Sequence, residues 1–142
     1  MSEHYEVVVS CFLRAETPAD VLEALRWHLG TAGAQPAVAG ADQEPDPFAF
    51  PLLEPDPDSP LPGGDAGVLR AEDHHAWGLF SRTHWHEDDL GHLETVLRLL
   101  APYVAEPGYG GHLRATTAAA SQPDALPCPV LFSGGSYTLS VP

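Results

Sequence analysis

The sequence predicts an α+β fold in which two helices cover one face of an antiparallel sheet. Two observations carry this prediction. Runs of β-branched and aromatic residues alternate with two amphipathic helical patterns, in the order strand, helix, strand, strand, helix, strand. The chain has 142 residues, 44% of them hydrophobic, which suits a single domain over residues 1–142 with one core.

The first strand and the first helix are the most clearly marked elements. Residues 5–14, YEVVVSCFLR, contain no breaker and predict a central strand. In TPADVLEALRWHLG, Thr17 can cap a helix, Pro18 suits its first turn and Gly30 allows a left-handed stop. Leucine and valine side chains recur on one face of this segment, so we expect that face to pack on the sheet.

Residues 31–65 interrupt the pattern with eight prolines, seven acids and no arginine. Proline fixes φ and removes a backbone donor, so neither a regular strand nor a helix is expected there. The run FAFPLL within this stretch is too apolar to remain in water. We therefore expect an acidic, proline-rich insertion of irregular structure, with Phe48, Phe50 and Leu52 or Leu53 packed on the domain.

A hairpin and a second helix follow the insertion. VLRAE at 68–72 and WGLFSRTHWH at 77–86 alternate in polarity on either side of a short polar turn, which predicts two antiparallel strands. The segment DDLGHLETVLRLLAPYV then repeats leucine and valine at helical spacing. Asp88 or Asp89 is expected to cap this helix.

Residues 111–117 predict the fourth strand, and residues 129–141 predict a C-terminal hairpin that turns on two glycines. Without that hairpin, the order βαββαβ is that of a ferredoxin-like fold, with a four-stranded antiparallel sheet and both helices on one face. The stretch LAPYV…GYGGHLR resembles small uncharacterised bacterial proteins of this architecture. That resemblance implies no functional residues.

Composition narrows the classes of partner. A formal charge of −14 makes nucleic acid and anionic membranes unfavourable partners. Since no apolar run is long enough to span a bilayer and no signal peptide is recognisable, we expect a cytoplasmic bacterial protein. Cys11 and Cys128 are expected to remain thiols. No cofactor is predicted, because GYGG at 108–111 lacks the lysine and the helix of a phosphate-binding loop.

Residues 83–91, THWHEDDLG, resemble the T-H-x-H-x-D-H-x-G motif of metallo-β-lactamases. The resemblance implies a metal-dependent hydrolase with His84, His86 and Asp88 as ligands. The family's next ligand, a histidine, is replaced here by Asp89, and only 50 residues follow His92. We therefore expect no tightly bound zinc at this cluster.

Strand alternation places most of the arginines on the sheet face opposite the helices, here called the open face. The predicted ligand or partner residues on it are Phe12, Arg14, Arg70, Phe80, Arg82, His84, His86, His112 and Arg114. Glu6 and Glu72 can pair with some of these arginines across the strands. The remaining positive charge favours an external anion or an acidic partner surface.

Three functions stay open from the sequence. The preferred one is a non-catalytic domain that binds a second subunit, another protein or a small anionic ligand on its open face. The second is a small dimeric enzyme of the α/β-barrel type, with His84, His86 or His112 as an acid–base group in a pocket between sheet and insertion. The third is the metal-dependent hydrolase at His84, His86 and Asp88.

Overall fold

The computed structural model describes residues 4–31, 51–71, 76–116 and 127–139. These residues form an α+β fold of one antiparallel sheet and two helices. The strands are β1 (His4–Leu13), β2 (Ala66–Ala71), β3 (Trp77–His86), β4 (Gly108–Ala115), β5 (Cys128–Ser133) and β6 (Ser136–Leu139), and the helices are α1 (Ala19–His28) and α2 (Leu93–Leu100). Short 3-10 helices at Glu87–His92 and Ala101–Tyr103 flank α2. In this part of the chain no helix is long and apolar enough to cross a membrane.

The sheet has six strands, in the order β2-β3-β1-β4-β5-β6, so the prediction of four strands is wrong. The C-terminal hairpin, expected as a separate element, extends the sheet because β5 pairs with the outer edge of β4. That edge would otherwise expose unpaired backbone groups. Pairing also buries Val130 and Phe132 of β5 in the core.

One core cluster lies between the sheet and the helices. Alternate side chains of β1 enter it, and Val7, Val9 and Leu13 are fully buried. Both helices contribute to the same cluster, with Val21, Leu25, Leu93, Val96, Leu97 and Leu100 among its members. Since the side chains of β1 that enter this cluster point to one side of the sheet, both helices cover that side.

Both predicted helix caps are wrong. The hydroxyl of Thr17 donates to the carbonyl of Arg14 at 2.6 Å and makes no cap hydrogen bond to α1. His86, rather than Asp88 or Asp89, caps the 3-10 helix that precedes α2, and α2 itself has no side-chain cap hydrogen bond. His86 ends a strand with extended backbone angles, so its ring Nδ1 can accept the backbone N–H of Asp88 at 3.1 Å.

The end of the insertion packs on the domain. Leu53 is fully buried and Leu52 is partly buried against the core, as the apolar run predicts. His28, the last residue of α1, holds this segment: its Nδ1 accepts the N–H of Leu52 at 3.3 Å, and its carbonyl accepts the N–H of Leu53 at 2.9 Å. Burial lowers the pKa of His28 to about 4. Phe48, Phe50 and Glu72 lie outside the described residues.

Candidate functional site

The open face divides into two halves along the strands. Glu6 of β1 lies in register between His84 of β3 and Arg114 of β4, and these residues belong to the ionic half. Further along β1, Ser10 lies beside Phe80 of β3 and begins the apolar half. The ionic half comprises His4, Glu6, Val8, Arg82, His84, His112, Arg114 and Thr116, and the apolar half comprises Ser10, Phe12, Val68, Phe80, Tyr109 and Leu131.

Glu6 is the centre of the ionic half. Its carboxylate accepts a hydrogen bond from Arg82 Nε at 2.6 Å and one from Arg114 Nε at 3.0 Å, and His112 Nε2 lies 3.4 Å away. Only 6% of the residue is exposed. Burial raises the pKa of Glu6, but the hydrogen bonds and charges of Arg114 and Arg82 outweigh it and lower the pKa to about 2. Glu6 is therefore ionised, and its side chain links β1 to Arg82 of β3 and to Arg114 of β4.

Arg82 ties the insertion to this half of the sheet. Besides its bond to Glu6, its Nη1 donates to the carbonyl of Pro62 at 2.7 Å and to that of Gly64 at 2.8 Å. Leu61, in the same turn, is buried. Residues 61–64 consequently lie against the ionic half, and Arg82 acts on partners within the chain.

His84 and His86 of β3 both contact the ring of His4, His86 edge-on with centroids 5.1 Å apart, but their ring nitrogens have different partners. His84 Nε2 lies 3.2 Å from the hydroxyl of Thr116, and its ring stacks on that of His4 with centroids 5.1 Å apart. Burial and the charge of His4 lower the pKa of His84, against an opposing effect of Asp65. His86 turns to Asp88, whose carboxylate lies 3.3 Å from its Nδ1. In the described ranges, no group of three or more His, Cys, Asp or Glu side chains could hold a metal ion.

Tyr109 is a residue of the open face that was not predicted from the sequence. Its hydroxyl lies 2.7 Å from Nδ1 of His112, because a bulge between Tyr109 and Gly111 brings both rings to the open face. Gly111 has a φ of 138°, and a Cβ there would collide with the backbone of Val8. The glycines of GYGG were the available signal for this bulge. Burial and the charge of Glu6 raise the pKa of Tyr109.

The apolar half carries all the large hydrophobic side chains that are exposed in the described part of the chain. They are Phe12, Val68, Phe80, Tyr109 and Leu131. An open cavity of about 380 Å³ lies among the first four of them, and Arg70 and Glu106 also line it. This half is thus an apolar surface on five strands, β1 to β5, and Arg70 and Glu106 flank its cavity.

The four arginines predicted for the open face are not all neighbours. Arg82 and Arg114 meet at Glu6. Arg70 pairs in register with Gly78, four residues before Arg82 on β3, which is roughly 13 Å along the strand. Arg14 lies beyond the end of β1 and lines a separate cavity of about 110 Å³ near the turn of the C-terminal hairpin.

No protein-family model, curated protein or solved structure matches the chain. The function is therefore argued from the open face itself.

Proposed function

We propose that the chain is a non-catalytic domain that pairs with a second copy of itself through the apolar half of its open face. The observation that carries this proposal is the gathering of Phe12, Val68, Phe80, Tyr109 and Leu131, all exposed, on one side of the sheet. Contiguous exposed apolar surface on a small domain marks an interaction site. Aromatic side chains are the residues that such interfaces favour.

The order of the first four strands supports a ferredoxin-like core for this domain. In the sheet they run β2-β3-β1-β4, with α1 connecting β1 to β2 and α2 connecting β3 to β4. This is the arrangement expected of two interlocked β-α-β units. Open faces of such sheets commonly pair with one another, an analogy that agrees with the apolar patch and adds to it.

Charge placement favours a second copy over another protein. Phe12 pairs in register with Gly78 of β3, which pairs in turn with Arg70 of β2. On the other side of Phe12, the N–H of Ala105 donates to its carbonyl, and Glu106 is the next residue. Arg70 and Glu106 therefore flank Phe12 on opposite sides. A two-fold axis parallel to the strands would place Arg70 of each copy opposite Glu106 of the other. The charges at the two flanks of the patch are therefore complementary to those of a second copy.

Charge exchange tests this arrangement. Arg70→Glu and Glu106→Arg should each weaken self-association by roughly tenfold or more, because each places like charges opposite one another twice. The double variant should restore most of the affinity. Arg98→Glu, on the exposed side of α2, changes the net charge by the same amount as Arg70→Glu and is its matched control. Sedimentation equilibrium measures all four; a double variant as weak as the single variants would contradict the two-fold pairing.

A second candidate is the enzyme that uses His112. Tyr109, His112 and Glu6 form a chain of hydroxyl, imidazole and carboxylate, an order that general-base catalysis employs. It is the weaker candidate, because Glu6 is paired with two arginines and the pKa of Tyr109 is raised. Hydrolysis of p-nitrophenyl acetate that disappears in both Tyr109→Phe and His112→Gln would favour it over pairing alone.

A further inference from the structure

We infer that the rim of the ionic half binds a small aromatic monocarboxylate between the sheet and the insertion. An open cavity of about 460 Å³ lies there, within the usual range for small-ligand sites. Its lining residues are His4, Pro60, Leu61, Pro62, His84, Arg114 and Thr116. This site lies on the other half of the open face from the proposed pairing surface, and its existence does not depend on that pairing.

Arg114 supplies the anchor for the carboxylate. Its Nε is engaged by Glu6 at 3.0 Å, which fixes the orientation of the guanidinium. Its two terminal amino groups donate to no residue among those described, and 41% of the side chain is exposed. A guanidinium held by Nε presents its two terminal nitrogens as a fork, which matches the two oxygens of a carboxylate.

The charge balance of the site selects a monoanion. Arg82 and Arg114 carry two positive charges and Glu6 neutralises one, so a single positive charge remains at this centre. The charge of Asp65 acts on His84, but Asp65 lines a different cavity and not this one. With a net charge of −14 on the whole chain, a dianion would be repelled more strongly than a monoanion.

The remaining walls suit a flat apolar body. The hydroxyl of Thr116 donates to the carbonyl of His4 at 3.1 Å, so its oxygen is left to accept from Nε2 of His84. This holds His84 as the Nε2–H tautomer, with its ring stacked on His4. Leu61 and its two neighbouring prolines face the cavity from the insertion. An aromatic ring can pack between these prolines and the imidazoles while its carboxylate reaches Arg114.

Titration of the full chain with benzoate tests the site. Nuclear magnetic resonance can follow the ring signals of His4 and His84, which should shift together and saturate. Benzamide, which has the same shape without charge, and inorganic phosphate should bind at least about tenfold more weakly. An equal response to benzamide would show apolar adsorption alone, and an equal response to phosphate would show a general anion site; either result overturns the assignment.

Two substitutions locate the anchor. Arg114→Gln should weaken benzoate binding by about tenfold or more, and Arg114→Lys, which keeps the charge opposite Glu6 but removes the fork, by a smaller factor. Arg98→Gln on α2 should leave the affinity unchanged. If both Arg114 variants bind benzoate as the unmodified chain does, the site is elsewhere. Should Arg114→Gln fail to fold, the lysine variant and the three-ligand comparison still decide the matter.

Discussion

The two halves of the open face belong to the same strands and follow the same alternation, yet they differ in how far the rest of the chain covers them. In the ionic half Glu6 is 6% exposed, because its arginine partners and the turn at residues 61–64 lie over it. In the apolar half Phe12 is 49% exposed. The charges of this face chiefly hold the fold together, whereas its apolar side chains are available for an external partner.

Removing the central charge should have the largest effect. Glu6→Gln leaves Arg82 and Arg114 on either side of β1 without their shared counterion. We expect the free energy of unfolding to fall by about 4 kcal/mol, as is typical when one member of a buried charge cluster is deleted. Chemical denaturation measures this. Glu94→Gln, which removes an exposed pair with Arg98, should change it by less than about 1 kcal/mol. Equal losses would mean that Glu6 contributes no more to stability than the exposed pair of Glu94 and Arg98.

Lowering the pH should separate the contributions of His28 and Glu6 to the free energy of unfolding. The pKa of His28 falls from 6.5 to about 4 on folding, so the unfolded chain takes up a proton first, and about 3 kcal/mol of stability is lost as the pH falls from 6.5 through 4. The pKa of Glu6 falls from 4.5 to about 2, so a comparable loss follows below pH 4.5. Denaturation of Glu6→Gln across this pH range should retain the first loss and lack the second. A variant that retains both would show that the carboxylate of Glu6 is not the group concerned.

Shortening one valine in each half should give the smallest of these differences in the free energy of unfolding. Val8 is buried in the ionic half, whereas Val68 is exposed in the apolar half. Val8→Ala should reduce the free energy of unfolding by about 2 kcal/mol through lost burial and an unfilled space. Val68→Ala should reduce it by about 0.5 kcal/mol or less, when both are measured at a concentration that keeps the chain monomeric. Similar values would mean that Val68 is covered within the monomer.

The alternation of β1, β3 and β4 could be predicted from the sequence, and it placed Glu6, Arg82 and Arg114 on one face. What covers that face could not be predicted, because Arg82 binds backbone carbonyls of Pro62 and Gly64, and any residue offers a carbonyl. The six-stranded sheet was missed for a similar reason: the pairing of β5 with β4 is a backbone interaction that leaves no residue pattern.

The roles of side chains at the ends of strands also could not be predicted from the sequence. Arg14 was counted on the open face by extending the alternation of β1, but the strand ends at Leu13, and Arg14 lines a separate cavity near the turn of the C-terminal hairpin. His86 took the cap position expected for Asp88 or Asp89 because the strand runs up to it. A shift of one or two residues at an element end changes which side chain is available for a site.

Sedimentation equilibrium of the unmodified chain and of Phe80→Asp tests the central claim most directly. Phe80 lies within the apolar half and is exposed, so an aspartate there would place a charge in the pairing surface with little effect on the core. We expect the unmodified chain to sediment with twice its mass of 15.1 kDa, and Phe80→Asp to sediment with the mass of one chain. A single-chain mass for both, at all concentrations, would contradict the account.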